Sequence, residues 1–321
     1  MGTQSTVEST PATAVPAISI IVPAYGVADM LGEALDSLQA QDRSDWEAIV
    51  IDDGDSRVAA AVAPYAQDGR IRFLQTDNRG LPTARNRAIA VSRAPFVALL
   101  DGDDIYRPNY VSTMLKAAEA SDRIGIVSCD ATYFGHDRGG ERFSAYCAQA
   151  LPASLDRLLR RDFNIFICTT IRRAAIDAVG GFDASLKSAE DLDLWVRLLE
   201  AGWEVAYVPE VLACYRRRPG QMSSNSVVMH QSALTVFERA EQRLAGRPEQ
   251  ATAAAMRAKT AKALEAELGI GRVRAGATGE GVTMLRNAGI HERSPRWRIA
   301  MALIRVAPWL AGPLIRFRDR N

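Results

Sequence analysis

The chain has 321 residues, of which 48% are hydrophobic and 24% charged, and its formal net charge is +1. That balance suits about two domains of ordinary size and gives no whole-molecule attraction to nucleic acid, so no nucleic-acid partner is expected. Four scattered cysteines without a C-x-x-C pair and three dispersed histidines argue against structural zinc and a disulfide framework. The cysteines read as buried apolar fillers in a reducing cytoplasm.

The first sixteen residues, "MGTQSTVESTPATAVP", lack an apolar core and a basic start, and read as a disordered tail. "ISIIVPAY" (18–25) is a short apolar run closed by Pro23, the pattern of a strand buried on both faces. A helix follows, striped by Leu31, Ala34, Leu35 and Leu38. "EAIVIDDGDS" (47–56) is a second strand running into acids and a glycine turn, and "IRFLQ" (71–75) a third. "NRGLPTARNRAIA" (78–90) is a turn and then a helix. "FVALLD" (96–101) is the fourth strand, and Val111, Met114, Leu115 and Ala118 stripe the helix after it. Strands alternating with helices at this spacing predict an α/β fold, a mostly parallel sheet flanked by helices. Later, "IGIVSCDATYF" and "NIFICTTIRR" read as strands around a helical "LDRLLRR", and "SAEDLDLWVRLLEAG" (188–202) as a helix ended by Gly202. Residues 227–292 read as a helical appendage broken at "AGRPE" and "GATGEG".

The acids stand where such sheets bind ligands. Asp52 and Asp53 end the second strand, and Asp101, Asp103 and Asp104 end the fourth. Ligands of open parallel sheets lie outside the carboxyl ends of the strands. A single aspartate there reads as a turn former or a helix cap, but two caps do not require five. Carboxylates this close repel one another. A hard divalent cation, Mg²⁺ or Mn²⁺, relieves that repulsion and shares its carboxylates with substrate phosphates. The dinucleotide fingerprint is absent after the first strand, and no P-loop occurs.

In order and spacing, "ISIIVPAYG", "IVIDDGDS", "NRGLPTARNRAI", "FVALLDGDD", "VGGFDASLKSAEDLDLWVRLLEAGW" and "ACYRRRPGQMS" resemble the family 2 glycosyltransferases over residues 17–226. The resemblance implies a GT-A fold, with a donor half to about residue 125 and an acceptor half to 226. It also implies inverting transfer of a sugar from a nucleoside diphosphate, usually UDP, to a glycan or lipid-linked acceptor. By position, Pro23, Ala24 and Tyr25 would line the nucleotide pocket and Asp53 would meet the base. Arg85 would contact the nucleotide or diphosphate, Asp103 the ribose and the metal sphere, and Asp104 would be the direct metal ligand. Asp191 would be the base that takes the acceptor's proton. Ser188-x-x-Asp191 equally fits a capping box in which Asp191 serves only its own helix.

Two positions depart from the family pattern. Asp55 replaces a common serine. Arg218 replaces a common histidine and reads either as a phosphate partner or as part of a solvated basic loop. A nucleotidyltransferase would carry a basic phosphate loop after the first strand, and "PAYGVADM" has none. A binding module without transfer activity is the non-enzymatic alternative. The tail 293–321 interleaves Trp297, Ile299, Leu303 and Trp309 with Arg296, Arg298, Arg305, Arg316 and Arg318. It reads as an interfacial helix on an anionic membrane surface, at the cytoplasmic face, or as a helix docked on its own protein.

Overall fold

The computed structural model describes residues 15–289 and 295–313, so the expected disordered tail lies almost wholly outside the described residues. Strand β1 (Ile18–Ala24) is buried along its whole length, as a strand covered on both faces must be. Helix α1 (Leu31–Gln39) buries Leu31, Ala34, Leu35 and Leu38, the stripe read from the sequence. Burying each leucine there contributes about 1.5–3 kcal/mol. Then come β2 (Trp46–Asp52), the short α2 (Val58–Val62) and β3 (Ile71–Gln75). Helix α3 (Leu81–Val91) opens with Pro82, whose missing N–H costs nothing in a first turn. Next are β4 (Phe96–Leu99), the two-residue β5 (Ile105–Tyr106), α4 (Tyr110–Ala118) and β6 (Ile124–Gly135). The Ser154 hydroxyl caps α5 (Leu155–Arg160) by accepting the Arg157 amide. β7 (Thr170–Arg172) and α6 (Arg173–Val179) lead to α7 (Glu190–Glu200) and the long β8 (Glu204–Arg217). Four helices end the described chain: α8 (Ser226–Arg243), α9 (Glu249–Arg274), α10 (Thr278–Asn287) and α11 (Pro295–Val306).

The eight strands form one sheet in the order β3-β2-β1-β4-β7-β6-β8-β5. The first four run parallel, with Val22 beside Val50 and Ile20 beside Ala98. β7 enters antiparallel between β4 and β6, and β5 pairs antiparallel with β8, so the second half of the sheet is mixed. "NIFICTTIRR" pairs over Thr170–Arg172 alone.

Alternation of side chains along β1 divides the core. Ile18, Ile20 and Val22 join the apolar layer under α1 and α4, while Ile21 joins the layer under α3, α6 and α7. A third, separate cluster holds α9, α10 and α11 together through Ile270, Val273, Leu285, Met301 and Ile304.

Candidate active site

A cavity of about 450 Å³ opens at the carboxyl ends of β1, β2 and β4, where their polar turns converge. Pro23, Ala24 and Tyr25 line it from the end of β1, and Asp53 from the end of β2. Two neighbouring acids build this rim. Asp52 accepts the amides of Gly54 (2.9 Å) and Asp55 (2.7 Å), folding the turn after β2. Asp55 accepts the Gly26 amide at 3.1 Å and pairs with Arg57, so the residue that departs from the family pattern ties two rim loops together. Asp53 accepts the backbone amides of Arg79 and Gly80, both at 2.9 Å, and so draws the turn before α3 to the cavity.

The loop after β4 divides its three acids. Asp101 and Asp103 line the cavity together with Gly102. A side chain on Gly102 would meet the Pro23 carbonyl oxygen and the Val27 side chain, both at 3.0 Å, so the glycine lets this loop pack tightly against the end of β1. Asp104 turns inward. It is 0% exposed, accepts the Arg216 amide from β8 at 2.8 Å, and lies 3.8 Å from the Cys168 thiol. Asp104, expected as the direct metal ligand, thus faces the protein interior, and the loop presents Asp101 and Asp103 to the cavity. Burial, then the charges of Asp103 and Asp101, hold the Asp104 carboxyl well above its ordinary pKa. Asp103 is raised by burial and by Asp101, against the pull of Arg218.

Arg85, expected near the nucleotide or diphosphate, lines the same cavity. Buried in α3, it donates to Asp101 at 2.6 Å and to Glu190 at 2.7 Å. Burial opposes its charge, but Asp101 and Glu190 outweigh burial and hold the guanidinium ionised. Its two terminal nitrogens are thus spent on protein carboxylates, and the residue ties the acid loop to the start of α7. Glu190, not singled out in the sequence, is raised by burial and pulled back by Arg85.

The capping box at α7 does not form. Ala189, in the left-handed region at φ 55°, precedes the helix without a side-chain cap, and the Ser188 hydroxyl points to the Met229 sulfur. Asp191 lines the cavity from the first turn, with Oδ1 accepting the Leu192 amide at 2.7 Å. Arg218 also lines the cavity and pairs with Asp103 at 2.8 Å, so it is not a solvated loop residue. Ile167, Tyr215, Met222 and Met229 add an apolar stretch of lining that no sequence signal had marked.

The donor set fits a divalent cation. The acid loop alone presents two hard oxygen donors, Asp101 and Asp103, to the cavity. Among the described residues no three His, Cys, Asp or Glu side chains form a cage, so substrate oxygens and water would supply the remaining ligands.

The family model for glycosyl transferase family 2 matches residues 19–179, half of the chain. The chain belongs to this family. Family 2 relatives include the succinoglycan biosynthesis protein ExoO of Rhizobium meliloti, 29% identical over 70% of this chain and 68% of that one. The chondroitin synthase of Escherichia coli is 28% identical over 61% of this chain and 28% of its own length. The chain thus spans about two thirds of the first relative and a much smaller part of the second. Solved structures share the fold. The S. aureus TarS fragment 1–349 in complex with UDP-GlcNAc superposes with a TM-score of 0.66 at 18% identity, covering 93% of this chain and 88% of that one. The mannosyltransferase PcManGT of Pyrobaculum calidifontis, in complex with GDP-Man and Mn²⁺, gives 0.62 at 18%, covering 96% and 89%. The protein is therefore a glycosyltransferase with a GT-A-type sheet.

Proposed function

We propose that the protein transfers a sugar with inversion from a nucleoside diphosphate, UDP in the first instance, to a hydroxyl of a glycan or lipid-linked acceptor. The reading is carried by one juxtaposition: Asp191 lines the same cavity as Asp101 and Asp103. Inversion needs a carboxylate to take the acceptor's proton and a separate place to hold the leaving diphosphate. Tyr25 and Asp53 would receive the nucleotide, with Asp53 already fixed by two amides. Asp103, with Asp101, would hold Mg²⁺ or Mn²⁺. The bound cation would neutralise charge developing on the diphosphate as the sugar–oxygen bond breaks. Arg218 stands beside Asp103, where it would pair with a phosphate oxygen. Arg85 would position rather than bind, fixing Asp101 and the first turn of α7 relative to each other. Asp191 would accept the hydroxyl proton as the new bond forms.

The ligands bound to the two solved structures support a nucleotide-sugar donor and a divalent metal, and the succinoglycan relative supports a growing glycan as acceptor. A lipid-linked acceptor would bring the enzyme to the cytoplasmic face of a membrane. The test is Asp191→Asn, measured for donor binding and turnover on one preparation. UDP affinity with Mn²⁺ should be unchanged, while transfer falls about 10²–10⁴-fold. Wild-type turnover in this variant removes Asp191 from catalysis.

A further inference from the structure

Helix α11 has two different apolar faces. Met301 and Ile304 are buried and, with half-buried Trp297, pack into the cluster formed by α9 and α10. Ile299 and Leu303, one helical turn apart, point away from that cluster and are 63% and 44% exposed. Arg298, at the flank of this face, is exposed, and Trp309, just past the helix, is 75% exposed. The sequence offered a helix docked on its own protein or one lying on a membrane. The structure gives the inner face to the first, and nothing in the described protein covers the outer face.

We propose that this outer face, with Trp309, docks the enzyme on an anionic lipid surface. The charge of the segment selects that occupant. Residues 293–321 hold seven arginines and one acid, Asp319, in a chain whose net charge is only +1. A second copy fits poorly, because a twofold contact would set this basic segment against itself. A lipid surface accepts what the face offers: aliphatic side chains and an indole at the acyl boundary, with cations among anionic headgroups. Among the described residues no helix is long and apolar enough to cross a membrane. Docking through α11 depends on none of the donor-site residues, so its failure would leave the proposed chemistry standing.

The experiment uses the full chain and vesicles of phosphatidylcholine with or without phosphatidylglycerol. Wild-type protein should sediment with the anionic vesicles at low salt, leave them at high salt, and ignore the neutral ones. The triple variant Ile299→Ser, Leu303→Ser, Trp309→Ser should bind at least about tenfold more weakly with an unchanged melting midpoint, because it alters exposed residues only. Arg298→Glu, which leaves the apolar face intact, should weaken binding about fivefold and tests the charge should the triple variant unfold. Indifference of the wild type to anionic vesicles, undiminished binding by both variants, or a dimer that the triple variant dissolves would each overturn the proposal.

Discussion

At the scale of single residues, the decisive feature is the split within "LDGDD". The cluster and its place at a strand end were legible in the sequence, because a run of acids after an apolar strand has few structural uses. Which acid faces the cavity was not, since it depends on β8 delivering the Arg216 amide to Asp104 from 112 positions further on. The same holds for Arg85, whose partner Glu190 lies 105 positions away. Asp103→Asn should weaken UDP–Mn²⁺ binding by more than the about 10–100-fold that losing an outer-shell partner of a metal costs. Asp104→Asn should leave it nearly intact. The sign of its effect on stability also follows. A carboxyl raised in the folded state contributes stability that is full below its unfolded pKa and lost as pH rises through the folded one. Asparagine has no charge to bury there and keeps an acceptor for Arg216, so its melting midpoint at neutral pH should not fall below that of the wild type. Calorimetry and thermal melting on the two variants check this, and the opposite ranking in binding would return Asp104 to the metal site.

At the scale of elements, strands covered on both faces announced themselves and mixed ones did not. β1 and β2 are unbroken buried runs. β8, the longest strand, is half-buried along most of its length without alternation and ends in two arginines, so neither periodicity nor hydrophobicity marked it. "GATGEG" was read as a break between helices, yet Gly279 and Gly281 lie inside α10. There glycine lets α9 and α10 cross closely: a side chain on Gly281 would meet the Gly269 carbonyl oxygen and the Val273 side chain at 2.6 Å. Gly281→Val should therefore force the two helices apart and cost about 1–3 kcal/mol. Chemical denaturation measures that loss, and UDP affinity should not change, because the α9–α10 cluster is separate from the two layers under the sheet. A variant as stable as the wild type would show that the crossing is not close.

At the scale of the whole molecule, the two ends of the parallel strands treat charge in opposite ways. The loop after β4, at the carboxyl ends, carries Asp103 and Asp104, whose pKa values are raised, while the amino ends carry Glu47, an acid that is fully satisfied. Glu47 accepts the Ser19 hydroxyl and the Arg93 amide, both at 2.7 Å, and the guanidinium groups of Arg93 and Arg72. Burial alone would raise its pKa, but these donors outweigh burial and hold it below the ordinary value. Such a group contributes stability that is present above its unfolded pKa, about 4.3, and lost as pH falls through the folded pKa. Glu47→Gln should cost about 1–3 kcal/mol at pH 7, and its melting midpoint should decline less steeply than that of the wild type as pH drops below about 5. Parallel acid limbs would exclude Glu47 as the cause of acid lability. Asp103 and Asp104, raised in the folded state, contribute with the opposite sign.

The pairing of β5 with β8 also sets the order in which a newborn chain can become an enzyme. Ile105 and Tyr106 find their strand partners at Cys214 and Ala213, Asp104 its amide at Arg216, and Asp103 its counter-ion at Arg218. At about 5–20 residues per second, translation needs on the order of 5–20 s to pass from the acid loop to these partners. Through that interval β1 to β4 can already pair with one another, yet the acids stand without their arginines and amide, and β4 keeps an open edge until β7 arrives. The acid loop thus gains its partners only once some 218 residues have left the ribosome, and the cavity is completed later still, when α8 brings Met229 to its wall.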